Sequence, residues 1–465
     1  MPSIMPRAAG AAALIVLCVF ITASCATVPT SRIVPVPAPA PALSPQALAE
    51  AWNREHVSWA VPPLVRHQDV DTRLREVQSA SPDLFRLEEV GRSVEGRSIN
   101  HIWFGRGPFK VLLWSQMHGD EPTATAALFD VFEYVRRHRD EPHVRRMLDT
   151  LTLHVVPMLN PDGAERFQRR NAQGIDINRD ALRLQTPEGL ALKALRDRLG
   201  ASVGFNLHNQ NWRTSAGETR KPATISLLSV AFDEARTENP GRVLTKKICA
   251  VIRDALEPLA PGRIGRYDDE FEVRAFGDNI TKWGTSVVLI ETGAWPAAEP
   301  DPYLIRLNFV ALLTAFDALA TGRVHQADPK RYESLPTNAS NVFYMLVRNA
   351  TVVTGTGVAP FTADIGIVAN RQVREVDGVR QTRLAARIED LGDLHPMGGL
   401  EDIDATGLVA APLFDPTLKA GDVVWLPDWT VKPASRTISV GEPAALVLLR
   451  PGAGGSFRVV RILSW

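Results

Sequence analysis

The chain has 465 residues, 45% of them hydrophobic and 22% charged, with 52 basic side chains balancing 52 acidic ones. That is the composition of a core-forming globular protein, and the length suggests more than one domain. With no net charge and no long block of one sign, nothing electrostatic points to a nucleic-acid partner.

At the N-terminus, Arg7 precedes the apolar and small-residue run "AAGAAALIVLCVFITASC" (8–25), the layout of a secretory signal. The run is almost long enough to cross a bilayer, so an uncleaved anchor is an alternative. "TAS" before Cys25 resembles a bacterial lipoprotein box, with Thr22 where such signals usually carry Leu; ordinary cleavage near Ala26 is the competing reading. Lipidation of Cys25 implies an exported protein attached to a membrane and facing a bacterial periplasm, the alternative being a secreted or soluble periplasmic protein. Cys18 lies in the signal and Cys25 at its end, which leaves Cys249 without a disulfide partner. In "LTKKICAVIRDAL" Cys249 reads as a buried small hydrophobe. The signal is placed at 1–24 and a Pro/Ala-rich, polyproline-prone tether at 25–50.

From 51 to 325, short β-branched apolar runs alternate with helical ones. "FKVLLWSQMH", "LTLHVVPMLN", "SVGFNLH" and "TSVVLIE" read as strands buried on both faces. "PTATAALFDVFEYVRRHR", "TPEGLALKALRDRL", "GRVLTKKICAVIRDALEPL" and "DPYLIRLNFVALLTAFDAL" read as helices. The fold class is therefore α/β, a mixed and mostly parallel twisted sheet flanked by helices. A polar, breaker-rich stretch at 326–340 is predicted to be a linker. Residues 341–465, with short strand-like runs and no long helical period, read as a smaller all-β sandwich domain.

Ligands of open α/β sheets bind beyond the carboxyl ends of the strands. Here those ends carry His118, then Asn160 and Asp162, then His208, then Glu291. Two histidines and a carboxylate are a catalytic zinc set that leaves one position for water. His118, Glu121 and His208 supply it if Gly119 allows a tight turn after the strand. In a plainer account of the same stretch, Asp120 is an N-cap and Glu121 and Pro122 are first-turn residues; the two accounts are compatible. His154 reads as a core or sheet-face residue, and His138 and His143 as solvated.

"GRSVEGRSI" (91–99), "MHGDEP", "NPDG", "RRNAQGIDINRD" (169–180), "NLH" and "IETG" follow in the order seen in the zinc carboxypeptidase family, and residues 65 to 320 resemble it. The resemblance implies one zinc ion held by His118, Glu121 and His208, with Asp176 orienting the first histidine. It implies that Arg169, beside the similar Arg170, polarises the scissile carbonyl, that Asn178 and Arg179 bind a terminal carboxylate, and that Glu291 is the general base. Tyr267 matches the tyrosine that closes over substrate. The family commonly has Asn where Asp180 stands, and that extra charge beside Arg179 is expected to weaken binding of a plain carboxylate or to favour a nearby amine. The C-terminal part, through "VRNATVVTGTGVAPFTADIGI", "DIDATGLVAAPLFDP" and "ISVGEPAALVLL", resembles the composite sandwich of amidohydrolases without its barrel or the barrel's His-x-His pair. The expected function is a zinc metallocarboxypeptidase acting on a peptide. Alternatives are an amidase acting on peptidoglycan stems with the same site and a non-catalytic zinc-binding protein.

Overall fold

The computed structural model describes residues 43–428 and 434–465. The signal, Cys25 and most of the tether lie outside the described residues. The remaining part of the tether differs from expectation. Pro45–Glu55 is a helix, α1, capped by the Ser44 hydroxyl, with Leu48, Ala49, Ala51 and Trp52 buried. Trp52 Nε1 donates to Asp130 at 2.6 Å, and the Val57 and Ser58 amides donate to the same carboxylate at 2.7 Å each. Residues 45–50 thus belong to the folded body, because the apolar spacing of α1 finds a core to cover.

Next come α2 (His67–Ala80), β1 (Arg86–Arg92), β2 (Ser98–Gly105), β3 (Phe109–Ser115), α3 (Thr123–Arg137) and α4 (Pro142–Thr150). They are followed by β4 (Leu151–Val156), α5 (Pro161–Arg166), α6 (Pro187–Leu199), β5 (Val203–Asn209), β6 (Ile225–Ser229) and α7 (Pro240–Leu256). β7 (Ile264–Arg266), α8 (Phe276–Lys282), β8 (Ser286–Thr292) and α9 (Asp301–Thr321) complete this part. Its eight strands form one sheet in the order β1-β2-β4-β3-β5-β8-β6-β7. The central β4, β3, β5 and β8 run parallel, while β2 against β4 and β6 against β8 are antiparallel. Alternation along β3 divides the core. Val111 and Leu113 face the layer containing α3, α7 and α9, and Leu112 and Trp114 face the layer containing α6 and α8. Cys249 is fully buried in the first layer.

The predicted linker is packed. Tyr332 and Leu335 are buried, and the Arg266 amide donates to the Pro336 carbonyl at 2.8 Å, so this segment runs on beside β7. β9 (Val342–Val352), β10 (Phe361–Val376), β11 (Val379–Gly392), β12 (Gly398–Asp404), β13 (Val409–Pro412), β14 (Val423–Val424), β15 (Leu446–Pro451) and β16 (Phe457–Leu463) form a second, all-β sheet. The order is β11-β10-β9-β13-β15-β16-β14, with β12 also paired to β9, so the hydrogen-bonded ladder is continuous. β10 pairs with β9 only as far as Ile367, whereas its pairing with β11 runs on to Val376. The hairpin end therefore projects beyond β9 as a two-stranded ribbon.

Candidate metal centre and active-site cleft

The order β4-β3-β5 makes a switch point: the chain leaves β3 to one side for β4 and later returns on the other for β5. The crevice outside those strand ends is where an open α/β sheet binds ligands. After β3 the chain turns at Gln116, which has a φ of 51°, and the Gln116 side-chain amide donates to the Gly119 carbonyl at 3.0 Å. A Cβ on Gly119 would lie 2.0 Å from the Gly163 carbonyl carbon, so close approach to α5 requires glycine here. Asp120 is not the cap of α3. The helix begins at Thr123 behind Pro122, with no side-chain cap, and Glu121 stands in the turn ahead of it. The Glu121 amide donates to the His118 carbonyl at 3.2 Å, which brings the two side chains to one point.

His118 Nδ1 lies 2.7 Å from Glu121 Oε1, His208 Nδ1 lies 2.7 Å from Glu121 Oε2, and the two Nδ1 atoms are 3.1 Å apart. All three residues are buried, and their ligand-type atoms lie within 4.8 Å of one another. The other nitrogen of His118, Nε2, is 3.1 Å from Asp176 Oδ1. A carboxylate there fixes the tautomer and aims the Nδ1 lone pair inward. Two imidazole nitrogens and a carboxylate converging in this way fit zinc, and the polar atoms around His118 Nδ1 outnumber what a single proton can satisfy. Burial opposes a charge on His118, but the Glu121 carboxylate and the Asp176 hydrogen bond outweigh it and raise its pKa to about 9. His208, fully enclosed, is shifted down by burial despite Glu121. Burial also works against the charge of Glu121, whose pKa the two histidines nevertheless hold below the ordinary carboxylate range.

Arg169 Nε donates to Asp176 Oδ2 at 2.9 Å, and its Nη1 reaches His118 Nδ1 at 3.1 Å. Arg170 instead donates to the Gly174 carbonyl at 3.1 Å, so of the two neighbours only Arg169 faces the cluster. Glu291 is the register partner of His208 across β5 and β8. It is buried, its Oε2 has no partner among the described residues, and burial followed by the charge of Glu121 raises its pKa. Tyr267, just past β7, has its pKa pushed up to about 12, first by burial and then by the charge of Glu291.

Asn178 accepts from the Phe276 amide at 2.9 Å, and Arg179 is exposed and pairs with Glu272 at 3.2 Å. Asp180 does not sit against that guanidinium. It is buried and accepts from the Gln185 amide, the Thr186 amide and the Thr186 hydroxyl at 2.9, 2.8 and 2.7 Å, which shapes the entry to α6. The negative charge beside Arg179 therefore comes from Glu272, which no sequence pattern singled out. Asn160 and Asp162 are structural. Asn160 caps α5 through the Gly163 amide, and Asp162 takes hydrogen bonds from Ser93 and Arg97, both in the "GRSVEGRSI" stretch. His154 is buried against His101, as expected of a sheet-face residue. His138 differs from expectation: it is partly buried and bridges Glu55 of α1 and Glu141.

Residues 70–234 match the family model described as "Zinc carboxypeptidase". Carboxypeptidase M of Mus musculus is 28% identical over 134 residues, 24% of this chain and 30% of that protein. The carboxypeptidase N catalytic chain of Rattus norvegicus is 31% identical over 143 residues, 26% of this chain and 31% of that one. The chain thus spans about a third of the length of these relatives. Among solved structures, a metallo-carboxypeptidase from Burkholderia cenocepacia is 21% identical, with a TM-score of 0.43, covering 56% of this chain and 68% of that one. Glu291 and Tyr267 lie beyond the matched segment. Over residues 70–234, less than half of its length, this chain is similar to the zinc carboxypeptidase family.

Proposed function

We propose that the protein is a zinc metallocarboxypeptidase that hydrolyses an amide bond near the free carboxylate end of a peptide. The observation that carries this reading is the convergence of His118, Glu121 and His208 beside a buried, unpartnered Glu291 carboxylate oxygen. A single zinc ion held by those three residues supplies Lewis acidity, polarising a carbonyl and acidifying a water. Glu291 Oε2 accepts the proton of the attacking water and returns it to the leaving amine, a task suited to a carboxyl whose pKa burial has raised. The Arg169 guanidinium, fixed by Asp176, stabilises the oxyanion that develops on the carbonyl. Asn178 and Arg179 receive the terminal carboxylate, for which the guanidinium fork is matched in shape. Tyr267 is assigned to cover the bound substrate. The lipoprotein-like segment ending at Cys25 supports an exported, membrane-attached enzyme.

Glu291→Gln is expected to abolish hydrolysis while zinc, measured by metal analysis, stays bound; activity near wild type refutes the assignment of the base. Digestion of a mixed library of peptides and muropeptides, read by mass spectrometry, separates general peptide hydrolysis from an amidase acting on cell-wall stems.

A further inference from the structure

The cleft does not end at the metal cluster. A cavity of ≈ 1090 Å³ has Glu121, Arg169 and Asn209 in its wall at one end and Tyr344, Arg371 and Glu401 of the all-β sheet at the other. Pockets that enclose drug-sized ligands hold about 300–1,000 Å³, so this space exceeds the needs of one terminal residue. Asn178, Arg179 and Tyr267 are not part of its wall, so the cavity opens from the metal cluster away from the residues assigned to the terminal carboxylate. A peptide held by that carboxylate, with its scissile amide at Arg169 and Glu291, continues on its amino side into the cavity.

The far wall is rigidly placed. Arg371 of β10 pairs with both carboxylate oxygens of Asp301 at 2.9 and 3.1 Å. Towards the hairpin tip, buried Arg380 donates to the Val65 and Ala164 carbonyls at 3.3 and 3.2 Å, and Glu375 pairs with Arg66 at 2.9 Å. The β10–β11 hairpin is therefore a bar tied to the α/β body at its middle and its tip. Beside it, the Trp212 ring, four residues beyond the ligand His208, stacks on Tyr344 at 5.6 Å, and the Arg371 guanidinium lies 5.7 Å from the Trp212 ring. On this wall Arg371 is paired with Asp301 and Glu401 with Arg461, while Arg383 donates to the Trp465 carbonyl at 3.1 Å. It offers aromatic faces and amides, which suits recognition of an extended chain with little demand on its sequence.

We propose that the β10–β11 hairpin and the Trp212–Tyr344 rim bind the residues of an extended peptide upstream of the scissile bond. The all-β sheet thereby acts as a selector that favours long, unfolded chain ends. The inference rests on the carboxypeptidase reading, and the test separates the two.

The zinc-loaded protein is assayed on N-acetylated peptides that share one C-terminal pair and grow from about two to about six residues, the longest spanning ~20 Å when extended. Wild type is expected to gain roughly tenfold in kcat/KM across the series, mainly through KM. In Trp212→Ala the ratio of longest to shortest is expected to fall towards one, and Trp212→Phe to restore most of it. Should Trp212→Ala fail to fold, Thr382→Trp, at an exposed hairpin position lining the same cavity, is expected to remove the gain by filling the space. Cleavage with no dependence on length in wild type, or a ratio unchanged in both variants, overturns the inference alone. Absence of cleavage at every length overturns the functional reading, and this inference with it.

Discussion

Asp176→Asn isolates the residue that connects the metal cluster to Arg169. Asp176 is 8% exposed, with Oδ1 3.1 Å from His118 Nε2 and Oδ2 accepting from Arg169 Nε at 2.9 Å. Burial works against its charge, yet the His118 and Arg169 contacts hold its pKa below the ordinary carboxylate range. Asparagine keeps the shape and removes the charge. A hydrogen bond to a charged group contributes about 1.5–3 kcal/mol, which corresponds to roughly 10–150-fold in an equilibrium constant. Loss of a carboxylate behind a metal-binding histidine typically weakens metal affinity by about 10–100-fold. The two ranges overlap, and zinc binding weakened by about 10–100-fold is the expected outcome. It is measured by competition with a chromophoric chelator on metal-stripped protein. At saturating zinc, kcat/KM is expected to remain about tenfold or more below wild type, because Arg169 has lost its anchor. A zinc Kd within about twofold of wild type, with unchanged melting temperature, refutes the assignment of Asp176 as the positioning residue of His118.

Two further outcomes follow from specific contacts. Glu272 pairs with Arg179 at 3.2 Å where the substrate carboxylate is proposed to bind. Glu272→Gln is expected to lower KM by about two- to fivefold, the size of a partly exposed ion pair, with little change in kcat; an unchanged or raised KM counts against the carboxylate site. Burial, and then the charge of His101, lower the folded-state pKa of His154 to about 3, from 6.5 in the unfolded chain. The stability this contributes is complete above pH 6.5 and is lost as pH falls towards 3, with about 2 kcal/mol lost by pH 5. His154→Leu is expected to flatten the pH dependence of urea unfolding between pH 6.5 and 5 by that amount, and identical slopes in the two proteins refute it.

The central strands and their flanking helices are legible in the chain because burial on both faces leaves an unbroken apolar run, as in "TSVVLIE", with a polar residue where the strand ends. β1, β2, β6 and α4 lacked that signature. Residues such as Glu88 and Glu89 in β1 are partly or fully exposed at the sheet edge, where apolar patterning is weak. The first half of α1, residues 45–50, was assigned to the tether because Pro and Ala dominate just before it, although α1 as a whole packs on the body, with Trp52 and Asp130 meeting across 78 positions of sequence. The Asp180 expectation failed for a local reason. Its side chain turns back to the Thr186 amide and hydroxyl, an option that adjacency to Arg179 does not reveal.

By itself the sequence determined a candidate site: His118 and His208 at the ends of apolar runs, Glu121 three residues after the first, and Arg169, Asp176 and Glu291 in an order that resembles the zinc carboxypeptidase family. Strand alternation and strand termini are local properties, and local properties are written in consecutive residues. Only the tertiary structure decided which side chains meet. It selected Arg169 over Arg170, set Glu272 rather than Asp180 beside Arg179, and laid the β10–β11 hairpin against Val65 and Ala164. Those meetings depend on sheet order and on packing between segments separated by tens to hundreds of positions, and no run of neighbouring residues encodes them.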